Sequence, residues 1–264
     1  MNSLLNDIVF LAKKAGNQVL KIYQSDFTVG YKNDKSPITV ADLASHECIC
    51  QGLRHITPDL PIISEESDPI SFQKRRSWEK YWLVDPLDGT KEFLEKNGEF
   101  TINIALIEQH KPHLSVIFVP SMNICYFAQR GVGAYKQIGE AQPEPMLSRV
   151  WKEGQPITAL ISRRHGNAEL KKFLAQFSNL NLLYCGSALK FCWVAEGLAD
   201  IYPRFSPTFE WDTAAGHCIL NESGGLVINN TGRELQYNRS SSLQIADFLA
   251  VADKRHHWLH YLKS

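Results

Sequence analysis

Two aspartates three positions apart, Asp85 and Asp88, stand in the string Trp82-Leu83-Val84-Asp85-Pro86-Leu87-Asp88-Gly89-Thr90. The apolar run reads as a buried strand that enters a turn fixed by proline and glycine, so the two carboxylates are held near each other. Close carboxylates in a half-buried place repel, and each resists ionisation unless a cation neutralises the pair. A hard divalent ion such as Mg²⁺ answers that need, because it takes a few carboxylate oxygens together with water or phosphate. The competing reading is an acidic turn that only caps a strand.

Other acids fall at comparable places. Glu65 and Glu66 follow the short apolar run Pro61-Ile62-Ile63, and two neighbouring strand ends would bring their carboxylates to one crevice with Asp85 and Asp88. Adjacent side chains on a strand point in opposite directions, so one of the two glutamates is the direct ligand, and Glu65 is the choice. Asp212, in Glu210-Trp211-Asp212-Thr213-Ala214-Ala215-Gly216, stands at the start of a helix of small residues, as a cap or as a further carboxylate of the site. Asp34, in Asn33-Asp34-Lys35-Ser36-Pro37, is either a turn residue or a site acid. The backbone N–H groups of Gly89 and Thr90 can meet phosphate oxygens. Ser187 and Lys190 lie three apart after Gly186, which suits a second phosphate on one face of a helix start, or else a plain N-cap with a solvated lysine.

These residues need a scaffold. Leu4, Ile8, Leu11, Ala15, Val19 and Ile22 form the apolar stripe of a first helix opened by Ser3. A hairpin or loop surrounds Gly30, and Thr39 with Asp42 forms a relative of the capping box. The helix that follows is expected to carry Leu43, Cys48, Ile49 and Leu53 inward. Strands at 61–63 and 82–84 precede three β-rich runs, Thr101–Ile107, His113–Val119 and Ile124–Gln129, whose spacing predicts an antiparallel meander. An exposed connection is expected over 139–145. Beyond it, strands at 157–162, 182–185, 200–202 and 226–228 alternate with helices at 167–177, 187–197 and 212–223, the rhythm of an α/β unit. Two packed halves follow: residues 1–138, α+β, carrying Glu65, Asp85 and Asp88, and residues 139–264, α/β, carrying Ser187, Lys190 and Asp212.

Composition excludes some classes. The 264 residues carry 28 basic and 28 acidic side chains, so no global field draws nucleic-acid polymer or a membrane surface. No secretory signal or membrane-length apolar run is visible. The six cysteines have no zinc-like spacing and read as small core residues of a reducing compartment, which makes the cytoplasm the expected location.

Taken together, Glu65, the string Asp85-Pro86-Leu87-Asp88-Gly89-Thr90 and the distant Trp211-Asp212 resemble the magnesium-dependent, lithium-sensitive phosphatase superfamily that includes inositol monophosphatase and fructose-1,6-bisphosphatase. The resemblance covers essentially the whole chain. Lys32–Thr39, Asp88–Phe93, Asn97–Thr101, Gly186–Phe191 and Tyr202–Phe205 are similar to one branch, the bacterial CysQ type of 3'(2'),5'-bisphosphate nucleotidase. The resemblance implies a layered α-β-α-β-α sugar-phosphatase-like fold and two or three Mg²⁺ ions. Glu65, Asp85 and the Leu87 carbonyl would hold the first ion; Asp85, Asp88 and Asp212 would hold the second. Asp34 and Thr90, with Glu65, would activate the attacking water, without a covalent intermediate. Gly89, Thr90, Ser162, His165, Gly186, Ser187, Lys190, Arg204 and Asp212 would line the nucleotide pocket. The implied reaction removes the 3'-phosphate of adenosine 3',5'-bisphosphate, with 3'-phosphoadenylyl sulfate as a second substrate and a role in sulfur assimilation. Inositol-1-phosphate or a sugar phosphate is the alternative substrate on the same scaffold, and a non-catalytic nucleotide-binding protein is the alternative class. The partner is a small nucleotide; the chain is monomer or homodimer, and relatives of this branch are sometimes found at the inner face of the bacterial membrane.

Overall fold

The first apolar stripe forms α1 (Ser3–Tyr23), which buries Leu5, Ile8, Leu11, Ala15 and Val19 while Leu4 and Ile22 lie half-buried at its margins. The computed structural model describes residues 3–25, 29–31, 37–163, 166–245 and 247–262. The hairpin expected around Gly30 is made by β1 (Val29–Tyr31) and β2 (Pro37–Thr39), paired antiparallel. Thr39 and Asp42 close the capping box of α2 (Val40–Ile56). Its inward face runs through Asp42, Ser45, Ile49 and Leu53, at helical spacing. Leu43 is one step off that face and half exposed, against the expectation that it turns inward.

Next come β3 (Ile62–Ser64), the one-turn α3 (Phe72–Arg75), β4 (Lys80–Asp88) and α4 (Thr90–Leu94). The strand β4 does not stop at Val84. It stays paired through the Asp-Pro-Leu-Asp string, Asp85 opposite Asn103 and Asp88 opposite Thr101, with one extra residue bulged between them. The meander follows as expected, β5 (Thr101–Glu108), β6 (Lys111–Val119) and β7 (Ile124–Gln129), with a short 3₁₀ turn at Pro120–Met122. Two further strands, β8 (Gly133–Ile138) and β9 (Glu144–Met146), complete a seven-stranded sheet. The connection expected over 139–145 is exposed at Glu140, Ala141, Gln142, Glu144 and Pro145, but its last two residues, with Met146, also pair with β8.

The remainder runs β10 (Ile157–Ile161), α5 (Ala168–Leu174), β11 (Leu180–Tyr184), α6 (Leu189–Ala195), β12 (Ile201–Arg204), β13 (Thr208–Phe209), α7 (Glu210–Glu222), β14 (Leu226–Asn229), β15 (Gln244–Ile245), β16 (Phe248–Val251) and α8 (Leu259–Leu262). Its sheet has the order β11-β10-β12-β16-β14, parallel over the first three strands and antiparallel over the rest.

The core shows how the layers stack. One face of the large sheet (Trp82, Val84, Ile104, Val116) packs on α1 and α2. Its other face (Tyr81, Leu83, Ala105, Ile117) meets α6 and α7, which also cover Leu160, Tyr202 and Ala250 of the second sheet. The outer face of that sheet packs on Phe173 of α5 and on Trp258. This is the expected α-β-α-β-α layering, and strands covered on both faces read as continuous apolar runs for that reason. All six cysteines are free and buried. Among the described residues no helix is long and apolar enough to cross a membrane.

Candidate active site

The acidic cluster lies where the large sheet meets the first turn of α7. Strand β3 runs parallel to β4 with Ser64 opposite Val84, so the next residues, Glu65 and Asp85, come level just past the end of β3, with β4 running on to Asp88. The Glu65 N–H donates to the Val84 carbonyl at 3.1 Å. Asp85 is 1 % exposed, and its Oδ1 accepts the Leu87 N–H at 3.0 Å. Proline at 86 has no N–H to donate, and its carbonyl accepts from Ser45 of α2 at 2.7 Å. Gly89 then turns the chain with φ of 89°, a left-handed conformation that glycine takes freely, and α4 begins at Thr90.

Asp212 reaches the cluster from the other half. It is the third residue of α7, and its Oδ2 accepts the Phe209 N–H at 2.9 Å and the Thr208 hydroxyl at 2.5 Å. The capping reading of Asp212 is therefore realised, and its carboxylate also comes close to the other acids. One carboxylate oxygen from each of Glu65, Asp85 and Asp212 lies within 4.8 Å of the others. Asp88 stands beside them with its Oδ2 on the Ala188 N–H at 2.5 Å and the Asn103 amide at 3.3 Å. Of the two adjacent glutamates it is Glu65 that joins the group; the charge of Glu66 acts on Asp42 and His46.

Burial and mutual repulsion dominate the electrostatics. Asp85 is pushed well above the usual carboxylate range, first by burial and then by the charges of Glu65, Asp88 and Asp212. Asp88 rises to about 7 through burial and the Asp212 charge, against the pull of Lys190. Asp212 is raised by burial. Three aspartates that resist ionisation, joined by Glu65 and all offering hard oxygens, fit a divalent ion of the Mg²⁺ kind, which would restore charge to the three.

Thr90 lies next to this cluster. Its hydroxyl is 3.2 Å from Asp42 Oδ1 and 3.4 Å from the Leu87 carbonyl. Asp42 Oδ2 accepts from both the N–H and the hydroxyl of Thr39, each at 2.7 Å. The carboxylate on Thr90 is thus the α2 capping acid, raised in pKa by burial. Asp34, expected in that role, and His165 lie outside the described residues. Asp42 was visible in the sequence only as a cap; nothing local announces that its second oxygen serves Thr90, 48 positions later.

A cavity of about 210 Å³ opens beside the acids, with Glu65, Asp88, Gly89, Thr90, Ser162, Ser187, Lys190, Arg204 and Asp212 on its walls. Asp85 and Leu87 lie behind the wall, buried. The expected pairing of Ser187 with Lys190 on one helix face is not what forms. Ser187 sits before α6 with φ of 48°, outside the helix, and the capping residue is Ala188. Lys190 is 3 % exposed, not solvated; its Nζ donates back to the carbonyls of Ser187 at 2.7 Å and Cys185 at 3.3 Å, and lies 5.1 Å from the centre of the Tyr202 ring. Gly186 allows a close approach, since a Cβ there would meet the Glu92 side chain at 2.5 Å. Arg204 donates to the carbonyls of Ser206 and Pro207 at 3.2 and 3.3 Å, near enough to Asp212 to lower its pKa. Lys91, Glu92, Tyr202 and Thr208 also line the cavity and had no assigned role.

Comparison with known proteins follows the same lines. Residues 2–259 match the inositol monophosphatase family. A relative in Escherichia coli strain K12, 3'(2'),5'-bisphosphate nucleotidase CysQ, is 44 % identical over 241 residues, 90 % of this chain and 96 % of its own. The nucleotidase of the same name in Buchnera aphidicola is 46 % identical over 248 residues, 90 % of this chain and 89 % of its own. Among solved structures, CysQ from Bacteroides thetaiotaomicron superposes with a TM-score of 0.81 at 38 % identity, covering 94 % of this chain and 97 % of that one.

Proposed function

Because the chain belongs to the inositol monophosphatase family and is a phosphoric monoester hydrolase, we propose that it removes the 3'-phosphate of adenosine 3',5'-bisphosphate to give AMP and phosphate, and acts likewise on 3'-phosphoadenylyl sulfate. The observation that carries this is the convergence of Glu65, Asp85 and Asp212 beside Asp88 in a chain 44 % identical, over nine-tenths of its length, to a protein named for that reaction.

Glu65, Asp85, the Leu87 carbonyl, Asp88 and Asp212 would hold two or three Mg²⁺ ions. Bound there, Mg²⁺ supplies charge neutralisation of the phosphate oxygens, a lowered water pKa and stabilisation of the leaving alkoxide. The chain's own residues do the rest. Gly89 and Thr90, at the start of α4, turn N–H groups toward the phosphate. The Thr90 hydroxyl orients the attacking water, and a proton can pass through it to Asp42 Oδ1, a buried acid whose raised pKa suits it to receive one. Asp42 takes the place given to Asp34 in the sequence reading. Lys190 works from beneath, holding the loop and placing a positive charge near Asp88. Ser162, Ser187 and Arg204 also line the cavity and would receive the 5'-phosphate and ribose. This reading places the protein where the bisphosphate by-product of sulfur assimilation is recycled.

The test is a steady-state comparison of adenosine 3',5'-bisphosphate, its sulfated form and inositol 1-phosphate with Mg²⁺, with the nucleotide product identified by chromatography. AMP as product, and a kcat/KM at least tenfold above that for inositol phosphate, supports the proposal. Preference for inositol phosphate, or release of the 5'-phosphate, overturns it.

A further inference from the structure

The loop that closes over Asp88 is held by an acid from the opposite half. Residues 186–188 lead from β11 into α6, and Ser187 has the left-handed φ of 48° that a residue with a side chain keeps only when its surroundings impose it. Bonds on every side do so. Gly186 N–H donates to Glu99 Oε2 at 2.7 Å, Ala188 N–H to Asp88 Oδ2 at 2.5 Å, Leu189 N–H to the Ser187 hydroxyl at 3.3 Å, and Lys190 Nζ to the Ser187 carbonyl at 2.7 Å. Three of these four partners lie in the loop or in the metal-site reading. Glu99 does not: it precedes β5, is 9 % exposed and belongs to the Asn97–Thr101 string that no step of the reaction uses. Its carboxylate is gripped in turn by Arg163, just past β10. That guanidinium binds both oxygens, one through Nη2 at 2.7 Å, and reaches the Tyr184 carbonyl at 3.2 Å.

We infer that Glu99 and Arg163 are positioning residues: they set the Gly186–Ala188 arch so that the Ala188 N–H meets Asp88, and thereby tune how tightly the acidic cluster takes a divalent ion. The inference rests on the reading of that cluster as a Mg²⁺ site. The path is short and continuous, from Arg163 to Glu99, to the Gly186 N–H, across one peptide to Ala188, and to Asp88 Oδ2. A donor on Oδ2 fixes the carboxylate plane, and loss of such outer partners typically weakens metal binding by about 10- to 100-fold. Because Glu99 acts through one further peptide, the effect belongs at the low end. Arg163 offers the fork that a carboxylate needs in order to stay ionised in a nearly buried place.

The test uses the full chain stripped of metal, titrated with Mg²⁺ while its thermal unfolding midpoint is followed, and in parallel assayed for turnover of adenosine 3',5'-bisphosphate. Glu99→Ala is expected to raise the half-saturating Mg²⁺ concentration about tenfold, and Arg163→Gln to raise it less, in the same direction. Glu99→Gln, whose amide oxygen still accepts from Gly186, is expected between Glu99→Ala and wild type. Glu108→Ala, which breaks the Lys80 ion pair at the far end of β5, is expected to leave the Mg²⁺ midpoint unchanged. A purely structural role predicts the reverse pattern: a lower metal-free unfolding temperature with the Mg²⁺ midpoint within twofold of wild type, and that result overturns the inference. If wild-type protein gains no stability from Mg²⁺ at all, the metal reading falls and the inference with it. If wild type responds and Glu99→Ala responds equally, only the positioning role fails.

Discussion

Replacing Asp88 by Asn should stabilise the metal-free protein while disabling it. The wild-type carboxyl is raised from 3.8 to about 7. Above pH 7 the folded state must hold a charge that it disfavours by about 1.4 kcal/mol per pH unit of that rise, or roughly 4 kcal/mol in all. Asp88 is only half-buried at the cavity wall, where solvent screening reduces the penalty, and a net gain of about 2 kcal/mol for the amide is expected. In a chain of this size that corresponds to roughly 4–8 °C in Tm. The sign follows from linkage. Between pH 4 and 7 the folded state keeps a proton that the unfolded state has lost, so metal-free wild type loses stability as pH rises through that window and is level above it. Asp88→Asn lacks this loss, so its advantage vanishes near pH 4 and is complete by pH 8. Mg²⁺ reverses the order: it stabilises wild type strongly and the variant weakly, and turnover in the variant falls by orders of magnitude because the site has lost a formal charge. Calorimetric melts at pH 4, 6 and 8, with EDTA and with Mg²⁺, give the answer. Equal Mg²⁺ stabilisation of both proteins, with no gain for the variant in EDTA at pH 8, would refute the view that these acids are strained against one another in readiness for a cation.

Thr90→Val should lower kcat by about 10²- to 10³-fold with little change in KM, and Thr90→Ser should recover most of it; a KM effect alone would remove Thr90 from the water-orienting role. Millimolar Li⁺ and Ca²⁺ should inhibit turnover competitively with Mg²⁺, and indifference to both in a steady-state assay would count against the metal assignment. Glu234, held down to about 2 by its bond with His217, despite partial burial, and by Lys111, contributes stability that is full above pH 4.5 and lost as pH falls towards 2. After discounting for solvent screening, Glu234→Gln should cost about 1 kcal/mol at pH 7 and nothing at pH 2, read from urea unfolding, with no effect on Mg²⁺ affinity. Burial pushes the thiols of Cys125, Cys185 and Cys218 up to about 12, so a thiol reagent at pH 8 should label none of the three until the protein unfolds.

Features set by neighbouring residues were legible in the sequence. Apolar runs became strands, Thr39 and Asp42 formed their capping box, Glu65 came just past the end of β3 and Asp212 at a helix start, as their local strings announce. The limits are just as physical. A bulge lets β4 continue through Asp85–Asp88, which no propensity reveals because Pro86 and Gly89 look like a stop. Strand β9 is short, half polar and carries Pro145, so only its pairing with β8 makes it a strand. Ser187 and Lys190 looked like helix neighbours by spacing, but one positive φ moves the serine out of the helix, and the lysine turns inward to satisfy the carbonyls that this bend exposes.

The two acids of greatest mechanistic interest, Asp42 and Glu99, share a property that explains why spacing did not reveal their roles. Each carboxylate serves two partners, and in each case at least one lies beyond local reach. Asp42 caps α2 with one oxygen and meets Thr90 with the other; Glu99 pairs with Arg163 and also receives the Gly186 N–H, 87 positions away. A carboxylate can join two elements in this way because it accepts several hydrogen bonds at once, and burial makes each bond costly to lose. The loop over Asp88 is tied down partly by residues that line the cavity, Asp88 and Lys190, and partly by an acid one step behind, Glu99. A substitution at Glu99 should therefore disturb Mg²⁺ affinity although it touches neither ion nor substrate, whereas an exchange at Arg204, on the cavity wall and near Asp212, should alter both KM for the nucleotide and the Mg²⁺ midpoint.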